Sequence, residues 1–120
     1  NIQAFGMDDR LNEVFEISLY RILQEWISNV LKYSGATELL IQFTAHENEI
    51  VITVEDNGAG FDLKNFENSS GNGWRNINTR LNLIKGTLDI DTQAGRRNST
   101  LILSIDPKLA FTPNSVVLNT

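Results

Sequence analysis

The stretch from Asn12 to Tyr33, NEVFEISLYRILQEWISNVLKY, places apolar residues at positions 15, 19, 22, 23, 26, 27, 30 and 31. Recurrence at i, i+4, i+7 and i+8 is the signature of an amphipathic α-helix whose apolar stripe faces a core. Asn12 suits the N-cap, Glu13 and Glu16 suit the positive end of the helix dipole, and Gly35 is a natural stop. Projected at about 100° per residue, the apolar arc runs from Ile22 through Phe15, Trp26 and Leu23 to Leu31. One edge of that arc is polar: Glu25, Asn29 and Lys32 lie at i, i+4 and i+7 and point the same way. Two readings stand for them. They are a solvated helix flank, or they are a cation and phosphate site. In the second, an amide oxygen suits hard Mg²⁺, a carboxylate orients a reacting group and a lysine neutralises phosphate.

Beyond this helix, Glu38 to Thr44 and Ile50 to Glu55 alternate apolar and polar residues across a short polar link, which predicts a β-hairpin with one buried face. The pattern collapses from Asp56 to Gly73, where Gly58, Gly60, Gly71 and Gly73 fall among Asn and Ser residues, so a long irregular loop is expected. Trp74, Ile77, Leu81 and Ile84 restore helical spacing, with Gly86 as the expected end. Thr87 to Thr92 and Ser99 to Ile105 form a second expected hairpin, and Ile2 to Phe5 an edge strand. This order predicts an α+β fold: a two-layer sandwich in which helices cover one face of a mixed, mostly antiparallel sheet. Residues 1–105 form the expected domain, and residues 106–120, with Pro107 and Pro113, read as a tail or appended segment.

Composition narrows the function. The 120 residues suffice for one domain, and no apolar run approaches the roughly 18 residues of a membrane span. Ten basic against 15 acidic residues, net −5, argue against a nucleic-acid coat or a membrane-surface protein. With no Cys and one His, a thiolate nucleophile and a Cys zinc site are excluded, and little remains for a His-ligated metal.

Two further elements could carry chemistry. Asp56-Asn57-Gly58-Ala59-Gly60-Phe61 follows a buried strand and is either a plain turn or a loop that approaches a planar ligand, its carboxylate accepting from an exocyclic amine. Gly71-Asn72-Gly73 precedes a helix and is either a flexible loop or a start whose free N–H groups hold an anion.

In their order and spacing, these elements resemble the ATP-binding domain shared by gyrase, chaperone, histidine kinase and mismatch-repair ATPases, over about Ile2 to Ile105. Leu19-Tyr20-Arg21-Ile22-Leu23-Gln24-Glu25, continued by Trp26-Ile27-Ser28-Asn29-Val30-Leu31-Lys32-Tyr33-Ser34-Gly35-Ala36, resembles the catalytic domain of two-component sensor histidine kinases. The resemblance implies ATP and Mg²⁺. It makes Glu25, Asn29 and Lys32 the catalytic group: Asn29 would ligate the metal, Glu25 would act near the γ-phosphate and Lys32 would contact phosphate. Asp56 would accept from the adenine amine, with Asn57 a weaker candidate beside it. Gly58 and Gly60 would shape the purine pocket, and Gly71 and Gly73 would hinge a lid over the phosphates. A hydroxyl from Ser99 or Thr100 would complete the adenine pocket, and strand alternation favours Ser99.

The sequence departs from that pattern at Trp74, where a small aliphatic residue is usual, and at Asn98, where a glycine is expected beside Arg96 and Arg97. Arg75 and Arg80 are surface arginines or phosphate contacts. The implied partners are a separate dimerisation and phosphoacceptor domain in a homodimeric parent and, through it, a response regulator. Nucleic acid and direct membrane contact are not expected, and the expected location is cytoplasmic. His46, in a hairpin turn, reads as an exposed residue rather than a phosphoacceptor. An anti-sigma-type serine-protein kinase and a degenerate nucleotide-binding or interaction module are the alternatives.

Overall fold

The computed structural model describes residues 11–68 and 71–110. The strand expected at Ile2 to Phe5 and the last ten residues lie outside them.

Helix α1 (Glu13–Tyr33) starts where its cap requires. Asn12 is extended and its Oδ1 accepts the Phe15 N–H at 3.1 Å, satisfying one of the orphan donors of the first turn. At the other end Ser34 returns both its N–H and its hydroxyl to the Val30 carbonyl, and Gly35 takes the left-handed φ of 67° that stops the helix. Phe15, Leu19, Ile22, Leu23, Trp26 and Val30 are buried, as expected. Leu31, expected at the edge of the core arc, is half exposed. The buried side chains span only about 140° at 100° per residue, and Leu31 lies past that boundary.

Strands β1 (Leu39–Ala45), β2 (Ile50–Asp56), β3 (Thr87–Asp91) and β4 (Ser99–Ile105) form one sheet in the order β1-β2-β4-β3, antiparallel at every pairing. Ile50, Ile52 and Val54 of β2 and Leu101, Leu103 and Ile105 of β4 alternate into the core shared with α1. The opposite face carries Leu40, Gln42, Glu55, Asp89 and Ile102, all exposed. The helices therefore lie on one side, and register puts Asp56 directly across from Ser99.

The loop expected to be irregular contains a short helix, α2 (Leu63–Glu67), capped by Asp62, whose Oδ1 accepts the Lys64 N–H at 3.0 Å. Its buried Phe66 inserts between Trp26 and Trp74, at ring-centroid distances of 6.2 and 5.6 Å. Helix α3 (Gly73–Ile84) ends on Lys85, left-handed at φ 52°, one residue before the expected Gly86. Gly86 serves packing instead, because a Cβ there would stand 3.0 Å from Leu81 Cδ1 and 3.2 Å from the Ser104 carbonyl oxygen.

After β4 the expected tail begins with a turn of helix, α4 (Pro107–Ala110), docked on the start of α1. Asn12 donates its N–H to the Ala110 carbonyl at 2.9 Å and its Nδ2 to the Leu109 carbonyl at 3.1 Å, and Ala110 is fully buried. Residues 107–110 thus pack against the start of α1. None of the described helices is long and apolar enough to cross a membrane.

Candidate functional site

Asp56, the last residue of β2, is 4% exposed. Its Oδ1 accepts the Gly58 N–H at 2.8 Å, and its Oδ2 has no partner. Among the described residues only one other buried side-chain polar atom, Trp26 Nε1, is left so. An unmet buried acceptor costs about 1–3 kcal/mol, so Asp56 Oδ2 stands out as an acceptor that no donor among the described residues satisfies. Ser99, opposite it, is 1% exposed and shares a 2.7 Å hydroxyl contact with Thr92.

Thr92 was not legible as a site residue. It accepts the Phe61 N–H at 3.2 Å and so ties the glycine loop to the β3–β4 turn. Thr100 pairs with Glu55 and Asp91 on the outer face of the sheet, because strand residues alternate sides. Of the two candidate hydroxyls, only Ser99 joins Asp56.

The glycines of this loop face protein. A Cβ on Gly58 would stand 2.2 Å from Ser34 Oγ, and one on Gly60 would stand 2.0 Å from the Gln93 carbonyl oxygen. Gly60 also sits at φ 76°, a conformation that disfavours any side chain. These residues therefore seat the loop between the end of α1 and the β3–β4 turn, which fixes Asp56. They act through close backbone packing, not by leaving open space beside them. Asn98 takes φ 69° and donates its N–H to the Gly58 carbonyl at 3.1 Å, so asparagine meets the backbone demand where glycine was expected. Asn57 is committed elsewhere: its Oδ1 accepts the Thr37 and Glu38 N–H groups at 2.9 and 3.0 Å, and its Nδ2 donates to Thr37 Oγ1.

A second cluster joins α1 to α3. Asn29 Nδ2 donates to the Glu25 carbonyl at 2.7 Å and lies 3.5 Å from Glu25 Oε2. Two acceptors on that side fix the amide orientation, and Asn29 Oδ1 accepts no bond from the described residues. Gly73, first residue of α3, lies against both side chains, since a Cβ there would stand 3.0 Å from Glu25 Oε2 and 3.3 Å from Asn29 Nδ2. Gly71 is exposed just before it. The first turn of α3 has no side-chain cap and no acidic residue, which leaves N–H groups directed outward.

Lys32 is exposed, and its Nζ lies 5.1 Å from the centre of the Tyr33 ring. Trp74 packs on Phe66, a structural role. Arg75 is exposed and Arg80 half-buried on α3. His46 is exposed in the β1–β2 turn, which is closed by its N–H to the Glu49 carbonyl at 2.7 Å. A cleft of about 440 Å³ between α2 and the β3–β4 turn, lined by Asp62, Lys64, Glu67 and Thr92 among others, shares Thr92 with the Asp56 end but contains neither Asp56 nor Glu25.

A divalent cation fits Asn29 on its donor chemistry. Its Oδ1 accepts no bond from the described residues, which also hold no cluster of three His, Cys, Asp or Glu side chains. Its remaining ligands would therefore be phosphate oxygens and water, the usual situation for Mg²⁺.

The family model for histidine kinase-, DNA gyrase B- and HSP90-like ATPases matches residues 15–109, which take in most of α1, the whole sheet and most of α4. The chain belongs to that ATPase family. Within it, the sensor histidine kinase ComP of Bacillus subtilis is 43% identical over 82 residues, covering 68% of this chain and 11% of ComP. The sensor histidine kinase MctS of Rhizobium johnstonii is 36% identical over 115 residues, covering 93% of this chain and 24% of MctS. The chain thus spans about a tenth to a quarter of the length of these relatives.

Among solved structures, the histidine kinase domain of the Erythrobacter litoralis EL346 blue-light activated kinase superposes with a TM-score of 0.64 at 15% identity, covering 77% of this chain and 47% of that one. Full-length ShkA in complex with AMPPNP superposes at 0.59 with 17% identity, covering 73% of this chain and 21% of ShkA. At such identity these two show the fold.

Proposed function

We propose that this chain binds Mg-ATP and presents its γ-phosphate to a histidine on a separate dimerisation domain, the catalytic step of two-component signalling. The observation that carries the reading is the convergence of Glu25 and Asn29 with the uncapped start of α3. The unpartnered Asp56 carboxylate oxygen supports it. ComP and MctS, both named sensor histidine kinases, and the AMPPNP in the ShkA structure support it.

In this reading Asp56 Oδ2 accepts from the adenine amine, and the Ser99–Thr92 hydroxyl pair offers a second polar contact at the same end. Asn29 Oδ1 would hold the metal, which when bound would supply positive charge to the phosphates. Lys32 swings from Tyr33 to phosphate, and the α3 N–H groups face the charge that develops on the transferring group. An imidazole nitrogen lone pair forms the P–N bond as the P–O bond to ADP breaks and the electron pair leaves with ADP. Glu25 takes the proton of the other ring nitrogen. A response regulator would then receive the phosphoryl group from that histidine.

Labelling with γ-³²P-ATP tests this. The chain alone takes up no stable label, while the full-length protein acquires an acid-labile phosphohistidine outside residues 1–120. Stable labelling of His46, or acid-stable phosphoserine on a separate protein substrate, would contradict it.

A further inference from the structure

We infer that Asn76, near the start of α3, is a positioning residue that aims the Glu25 carboxylate, an inference that rests on Glu25 serving the phosphoryl transfer proposed above. Asn76 Nδ2 donates to Glu25 Oε1 at 3.4 Å, across 51 residues of sequence. The other oxygen, Oε2, faces Asn29 Nδ2 at 3.5 Å. Each carboxylate oxygen thus receives one amide, and the two amides come from different helices. A carboxylate only accepts, so in both pairs it is the NH₂ end that points at Glu25.

Gly73 closes the third side. Its missing Cβ lets the α3 backbone approach Oε2 so closely that an added methyl would stand 3.0 Å away. None of the salt bridges between described residues involves Glu25, and the nearby Lys32 ammonium rests over Tyr33. The carboxylate is therefore aimed by neutral amides, which set its direction without cancelling the charge that a proton acceptor needs. Both contacts are long, as catalytic hydrogen bonds often are before the substrate complex forms. Asn76 is exposed, and its main-chain N–H is already spent on the Asn72 carbonyl at 2.8 Å, so its side chain contributes little to the core.

Two measurements test this. In the 120-residue chain, the Asn76 side-chain amide pair, assigned by its loss in Asn76→Asp, is followed by ¹⁵N–¹H NMR. It moves on Glu25→Ala, and no movement would overturn the contact. In the full-length protein, Asn76→Ala and the isosteric but donor-free Asn76→Asp lower kcat for transfer about tenfold, equivalent to 1.4 kcal/mol. The KM for ATP stays within about twofold, and Asn76→Gln, which keeps the donor, recovers most of the rate. An unchanged kcat in both variants, or KM and the thermal midpoint moving together with kcat, would overturn the inference while leaving the functional reading intact. Wild-type protein that binds ATP yet transfers nothing would overturn both.

Discussion

The clusters around Asp56 and around Glu25 are built from different materials. Around Asp56 the backbone does the positioning. Gly58 is wedged on Ser34, Gly60 on the Gln93 carbonyl, and Asn98 and Thr92 bond across to the loop. Around Glu25 side chains do it: two amides at 3.4 and 3.5 Å and a glycine that lets one helix lie on another. A rigid end suits a flat base whose edge is the same before and after reaction. A loosely bracketed carboxylate suits a phosphoryl group whose charge and geometry change in the transition state. Under the proposed function, the strength of local packing would follow how much each ligand portion must move.

Substituting a glycine at each end tests that contrast, and Gly60→Ala should have the largest effect. The new Cβ meets a backbone oxygen at 2.0 Å, and φ 76° is strained for alanine, so unfolding free energy measured by denaturant titration should fall by about 3 kcal/mol or more. Asn29→Ala comes next. It leaves the fold intact and lowers Mg-dependent ATP affinity about thirtyfold, near 2 kcal/mol, by calorimetry, while metal-free binding changes little. Asp56→Asn should cost ATP about tenfold and guanine nucleotides much less, because the Gly58 N–H keeps an acceptor but the free Oδ2 is replaced by a donor. Equal loss for all nucleotides would make Asp56 structural.

The smallest effect on stability is expected for Gly73→Ala. The nearest groups are the tip of Glu25 and the Phe66 ring edge, both at 3.0 Å, and alanine gains helix propensity, so unfolding should shift by less than about 1 kcal/mol. Transfer should nevertheless slow, since the methyl displaces Glu25. If Gly73→Ala unfolds the domain as Gly60→Ala does, the contrast between the two ends is wrong.

What the sequence made legible follows the range of the interactions involved. The start of α1 at Asn12, its stop at Gly35 and the two hairpins rest on local chemistry and period, and they stand where expected. Helix α2 escaped notice because five residues carry too little periodicity, and Asp62 reads as one more polar loop residue until its cap bond is seen. Gly86 looked like the helix stop because glycine signals a left-handed residue equally well as a close approach, and only tertiary structure separates the two. Strand alternation placed Ser99 on the side of Leu101 and Leu103, where it lies, and Thr100 on the other. Asn76 and Thr92 were invisible, since helical or strand spacing tells which residues share a face but not which side chain on another element they will meet.

The most direct measurement is isothermal titration of the chain with ATP, with and without Mg²⁺, alongside Asn29→Ala. Binding in the micromolar to millimolar range that strengthens with Mg²⁺ in the wild type, and loses that dependence in Asn29→Ala, is the expected result. No heat with any nucleotide, or Mg²⁺ dependence that survives in Asn29→Ala, would contradict the assignment of this site.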